Sequence, residues 1–163
     1  MRPSCIVDVT ECPIERPFLN EWEFFSGKKR RHTLKYEIAV HIQTGRIVWI
    51  AGPFRGSVHD LTIARNGFIH NLFHNEQVLG DKAYVGDPRF IAPFRPACTT
   101  AQEHFNYIVS CKRLLVEQVI KRIKHFHAVC HEWRQSLPLH GIVFKVIANI
   151  VVMSLFIEPI KAS

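Results

Sequence analysis

Among the five cysteines (Cys5, Cys12, Cys98, Cys111 and Cys130) there is no Cys-x-x-Cys pair, and the count is odd. The chain also shows no signal-like segment at its start. Both absences argue against a disulfide framework, and the reading is reduced thiols in an intracellular protein. His125, His127, Cys130 and His131 cluster in sequence but lack a second matched pair. A helix end carrying polar residues therefore explains them better than a zinc module does. Uninterrupted apolar runs are also lacking. The longest candidate, Ile142 to Ile157, is short for a membrane span and contains Lys145 and Asn149, so it reads as a buried helix with no membrane involved. Internal repeats and low-complexity stretches are missing, which excludes solenoids and disordered tails.

Acidic residues are scarce. Fourteen Asp and Glu face twenty-one Lys and Arg, giving a net charge of +7 before ten histidines are counted. A balance this basic favours an anionic partner. The apolar share of 47% over 163 residues supports one domain with a real core.

The chain opens on Cys5-Ile6-Val7, a strand expected to end at Asp8. Pro13 and Pro17 then break regular structure. A basic run, Gly27-Lys28-Lys29-Arg30-Arg31, leads into strict alternation, with Leu34, Tyr36, Ile38, Val40 and Ile42 on one face. Thr44-Gly45 makes a turn, and Arg46 to Ala51 returns as the second strand of a hairpin that Gly52-Pro53 should end. Ser57 or Asp60 is placed to cap a helix with Leu61, Ala64, Phe68 and Leu72 on one stripe. Val78-Leu79 is a short buried strand leading to Asp81. Tyr84 to Pro88 is a turn that includes Asp87, Phe90-Ile91-Ala92 is a further short strand, and residues 93–102 are loop. A long basic helix is expected over 103–127, and Pro138 and Gly141 set off the last, very apolar helix. Strands and helices alternate in one α/β layer structure.

Three carboxylates stand out: Asp8 and Asp81 at strand ends, and Glu117 on the basic helix. Cleaving a phosphodiester with magnesium needs oxygen ligands held rigidly near one another. Short Asp side chains on strands suit this, and a Glu from a crossing helix can complete the set. Each also has a plain alternative: a solvated strand end, a turn opener, and an i,i+4 partner for Lys121.

Five phrases resemble the DDE superfamily of endonucleases, specifically the Harbinger-like and related insertion-sequence transposases. They are Asp8-Val9-Thr10; Lys29-Arg30-Arg31-His32-Thr33-Leu34-Lys35; Pro53-Phe54-Arg55-Gly56-Ser57-Val58-His59-Asp60; Asp81-Lys82-Ala83-Tyr84; and Arg113, Val116, Glu117 with Lys124. The resemblance implies an α/β, RNase H-like mixed sheet flanked by helices over residues 1–163. It implies Asp8, Asp81 and Glu117 as catalytic residues and ligands of magnesium or manganese, two ions in all. It implies cleavage of DNA and joining of the new 3′ end to a target. Two family glycines are replaced, by Val9 and Ala83, and the second is tolerable only if the turn after Asp81 needs no positive φ.

Lys28, Lys29, Arg30, Arg31, Lys35, Lys82, Arg113, Lys121 and Lys124 are candidates for phosphate contacts. The run from Lys28 to Arg31 also resembles a nuclear localisation signal, so the expected site is the nucleus if the source is eukaryotic. Asp60 competes with the triad but reads as a helix cap, and Asp87 as a turn residue. Only seven residues precede Asp8, so the resemblance implies a core without the family's usual N-terminal DNA-binding domain. Site recognition would then come from a separate DNA-binding partner protein, and a homodimer is expected. The competing reading is a non-catalytic, transposase-derived scaffold that binds DNA or protein.

Overall fold

The structure is a computed structural model, and it describes residues 3–160. Residues 1–2 and 161–163 of the expected domain lie outside it. Its elements are β1 (Cys5–Pro13), α1 (Glu21–Phe24), β2 (Phe25–Ser26), β3 (Arg31–His41), β4 (Ile47–Arg55), α2 (Asp60–Asn66), β5 (Val78–Leu79), β6 (Phe90–Ile91), α3 (Thr100–Ile123), α4 (His127–Cys130) and α5 (Leu137–Ile157). Single 3-10 turns cover Phe68–Asn71 and Lys82–Tyr84. The strands form one mixed sheet in the order β2-β3-β1-β5-β6, with β4 also on β3. β1, β3 and β4 are antiparallel, while β5 and β6 join β1 in parallel. This mixed sheet flanked by helices is an RNase H-like fold.

Alternation sorts β1 and β3 onto two cores. Ile6, Cys12, Leu34, Tyr36, Ile38 and Val40 pack with Val116, Val119 and Ile123 of α3 and with Phe144 and Val151 of α5. Val7, Val9 and Ala39 pack on the opposite face with Ile63 and Ala64 of α2 and with Tyr84. Alternation in β3 marks a strand, but its polar positions are not solvated: Lys35 and Glu37 are buried with the rest.

Several boundaries differ from the sequence expectation. β1 does not end at Asp8. It runs to Pro13, because β3 pairs with it along its whole length, Asp8 opposite Ile38 and Pro13 opposite Thr33. β4 does not stop at Gly52-Pro53. Lys35 pairs with Phe54 and Glu37 with Ala51, so a bulge opposite Tyr36 absorbs the proline, which has no amide hydrogen to offer the ladder. Gly52, at φ 134°, is required there: a Cβ would sit 2.6 Å from Tyr36 Cδ1. α3 starts three residues earlier than expected. Thr99 caps it, its hydroxyl accepting from the Gln102 amide at 3.2 Å. The helix ends at Ile123, and α4 follows as a separate turn.

α5 locks onto the bulge. Tyr36 stacks on Phe144 with ring centroids 3.6 Å apart and 6° between planes. Its hydroxyl shares a hydrogen bond with His140 Nδ1 at 2.6 Å. A Cβ on Gly141 would lie 2.9 Å from Pro53 Cδ, so only glycine lets the helix come this close. Burial lowers the His140 pKa to about 4. The neutral ring therefore stabilises the fold above its unfolded value near 6.5, and that contribution is lost as pH falls towards 4.

The buried run expected at 142–157 is only half realised. His140, Gly141, Phe144, Ile147, Ala148, Val151 and Leu155 face the core, and the opposite side of α5 is exposed.

Removing the hydroxyl by Tyr36→Phe leaves His140 Nδ1 buried without a partner. The expected loss is about 1–3 kcal/mol of unfolding free energy, read by urea denaturation at pH 7 with an unchanged m-value.

Candidate active site

Register brings the first two carboxylates together. In the parallel pair β1/β5, Ile6 lies opposite Leu79. Both pack on the α3 face. Asp8 lies two residues further along β1, and Asp81 lies two residues past the end of β5, where the chain turns into a 3-10 turn. The electrostatics agree: the charge of Asp81 raises the Asp8 pKa.

Asp8 sits mid-strand and half-buried, its Oδ1 accepting from the Val9 amide at 2.8 Å. Burial pushes its carboxyl up to about 6, the Val9 amide opposes this, Asp81 adds to the rise, and Arg113 and Lys28 pull it down. Asp81 lies two residues beyond β5 and caps the following 3-10 turn, accepting from the Ala83 amide at 2.7 Å. Ala83 is not among the residues with positive φ, so the missing family glycine is harmless here.

Glu117 does not join the pair. It is exposed, and its carboxylate faces Arg113 Nη2 at 3.4 Å rather than Lys121. Among the described residues no three His, Cys, Asp or Glu side chains stand close enough to share one ion. Glu117 does share a helix sector with two cations that act on Asp8. At 100° per residue, Arg113, Glu117 and Lys124 fall within about 40° of one another. Arg113 and Lys124 both act electrostatically on Asp8. Glu117 lies between them.

The basic candidates separate into groups. Lys28 and Lys82 are exposed and line a cleft of about 660 Å³ with Asp81, His59 and Phe25. Lys29, Arg31 and Lys124 line a smaller recess of about 110 Å³ beside Glu11. Arg30 and Lys121 are exposed. Burial lowers the Lys124 pKa. Lys35 is a correction: its side chain is 9% exposed, and Nζ is committed to Asp60 Oδ1 at 2.9 Å and to the Val58 carbonyl at 2.8 Å. An amine held by two internal partners is not free for phosphate. Asp60 is corrected with it. It is the first residue of α2 and the partner of Lys35, while among the described residues no side chain caps that helix. Ser57 donates instead to the Glu23 carbonyl at 2.6 Å. Asp87 is a turn residue as expected, accepting from the Arg89 amide at 3.1 Å.

Sequence reasoning missed Glu37 and Tyr84. Glu37 is fully buried on the α2 face, where its Oε2 accepts from Trp49 Nε1 at 3.0 Å. Burial raises its pKa to about 7, opposed by that bond and helped by Asp60. Tyr84 is buried within electrostatic reach of Glu37, Asp8, Asp60 and Asp81, and burial raises its pKa well above the ordinary value. Glu37 Oε1 and the Tyr84 hydroxyl have no hydrogen-bond partner among the described residues. Ala39, two positions from Glu37, was the available signal: a small apolar residue on the polar side of β3 marks that side as covered too.

The sequence pattern that defines DDE superfamily endonucleases matches residues 7–156, nearly the whole chain. The chain belongs to the DDE superfamily of endonucleases. It is also 29% identical over 153 residues to a protein of Microchaete diplosiphon described as a probable transposase for insertion sequence element IS702. That match covers 89% of this chain and 55% of the relative, so the chain spans little more than half the length of the protein it resembles. No solved structure matches. Within this DDE superfamily chain, the Asp8–Asp81 pair is where acidic side chains meet the cationic face of α3.

An acid with a raised pKa favours the fold when protonated. Its contribution is full below the unfolded value near 4 and lost as pH rises through 6. Asp8→Asn keeps the shape and removes the charge. The expected gain at pH 7 is about 2–3 kcal/mol, closing below about pH 4. Equal denaturation midpoints for the two proteins at pH 7 would contradict the burial argument.

Proposed function

We propose that the protein is a divalent-metal-dependent DNA endonuclease core of the transposase type, with Asp8, Asp81 and Glu117 as its acidic set. The observation that carries this reading is the parallel pairing of β1 with β5, which brings Asp81, two residues beyond β5, close enough for its charge to act on Asp8 together with Arg113 of α3. The donor set suits a hard cation. Asp8 and Asp81 both offer carboxylate oxygens, and the charge of Asp81 raises the cost of ionising Asp8, a cost that a bound cation would relieve. Magnesium or manganese, as one ion or two, would supply Lewis-acid polarisation of the phosphodiester and an acidified attacking water.

The chain's own groups do the rest. Asp8 and Asp81 hold their oxygens on adjacent strands, fixed by the Val9 and Ala83 amides. Glu117 would have to leave Arg113 to join the set, and that half-exposed contact is worth only a few tenths of a kcal/mol. Arg113 and Lys124 then face the phosphate, while Lys28 and Lys82 hold the strand along the cleft. A 3′ hydroxyl in place of water would give strand joining by the same arrangement.

Nicking of supercoiled plasmid in magnesium tests this. Asp8→Asn, Asp81→Asn and Glu117→Gln are each expected to lower the rate by about a thousandfold or more, while Asp60→Asn and Glu37→Gln retain activity. Metal-dependent nicking that survives Asp81→Asn would sink the assignment.

One observation favours the second reading, a non-catalytic scaffold: the Glu117 carboxylate is turned to Arg113. Calorimetry decides between the two. A folded wild type that binds no magnesium leaves the scaffold standing.

A further inference from the structure

We propose that the outer face of α5 docks a second copy of this chain, giving a twofold dimer in which the two α5 helices cross antiparallel. Leu139, Ile142, Val146, Ile150, Met153 and Ile157 are exposed by 42, 61, 53, 48, 66 and 87%. They are not scattered. At 100° and 1.5 Å per residue they occupy one sector about 80° wide and about 27 Å long. That is a narrow seam, the kind one helix presents to another. The other side of α5 is already spent on Tyr36 and the β4 bulge.

Charge and area together favour a second copy over other occupants. The seam carries no acid and no base, and Lys145 and Asn149 only flank it. A DNA backbone finds no cation there. Two copies of a chain with net charge +7 repel over most approaches, and this neutral face is where they can meet. A half-exposed Leu, Ile, Val or Met leaves on the order of 100 Å² of side chain in water, so the seam offers on the order of 600–800 Å² per protomer, about what each partner gives to a standard interface. A twofold axis near position 148 sets Leu139 against the partner's Ile157 and Val146 against the partner's Ile150. Such a contact is isologous and closed. This inference is independent of the catalytic reading, since none of the seam residues belongs to the acidic site.

Sedimentation equilibrium on the whole chain tests it. The wild type is expected to be a dimer at ~20 μM. Ile150→Glu places one carboxylate from each copy beside the axis and is expected to weaken the dimer at least about a hundredfold, with unchanged circular dichroism. Met153→Lys serves as the second variant should the first not fold. A monomeric wild type, or a dimer indifferent to both substitutions, overturns the proposal. So does a monomer that floats with phosphatidylcholine vesicles and loses this on Ile150→Glu, because the occupant is then a lipid surface.

Discussion

β1 and β3 are covered on both faces, and the rest of the structure answers to that constraint. A strand with one wet face can leave its polar side chains in water. Here they must find partners inside the protein. Lys35 takes Asp60, Thr33 takes Glu11, Glu37 takes Trp49 and Tyr36 takes His140. Two of these pairs link layers and two stay within the sheet. Lys35 ties the sheet to α2 and Tyr36 ties it to α5, while Thr33–Glu11 and Glu37–Trp49 join neighbouring strands. The same covering produces the site. Asp8 is the acid on these two strands whose only hydrogen bond, among the described residues, comes from the next backbone amide.

The acids differ in what holds them. Asp8 and Asp81 accept only from the backbone amides of Val9 and Ala83 among the described residues. Glu37 and Asp60 are engaged with side chains, Trp49 and Lys35. Tyr84 lies within electrostatic reach of all four. The acids without a side-chain partner are the ones whose carboxylates remain open to a ligand.

Much of this was legible in the sequence. The hairpin, the short β5 and the long basic helix come from local signals: alternation, turn chemistry and helical spacing. Asp8 and Asp81 stood out only through the family resemblance, since each alone reads as a strand end or a turn opener. What was not legible depends on neighbours distant in sequence. β1 continues past Asp8 because β3 lies alongside it, and nothing in Val9-Thr10-Glu11 shows this. Gly52-Pro53 reads as a strand end, and only the crowding by Tyr36 reveals a bulge. Lys35 in a basic phrase reads as a phosphate ligand until α2 brings Asp60 to it. A very apolar helix reads as buried because composition says how greasy a helix is, not how many of its sides are covered.

The lock between Tyr36 and α5 also has a consequence for biosynthesis. Residues 36 and 140 are joined by a single hydrogen bond, yet more than a hundred residues separate them. A ribosome delivers the hairpin well before its cover. Until α5 emerges, Tyr36, Ile38 and Val40 have no such helix to hide under, and the nascent sheet shows a greasy face to its surroundings. Such exposure is what chaperones recognise. The stacked pair of Tyr36 and Phe144 therefore waits for α5 before it can form.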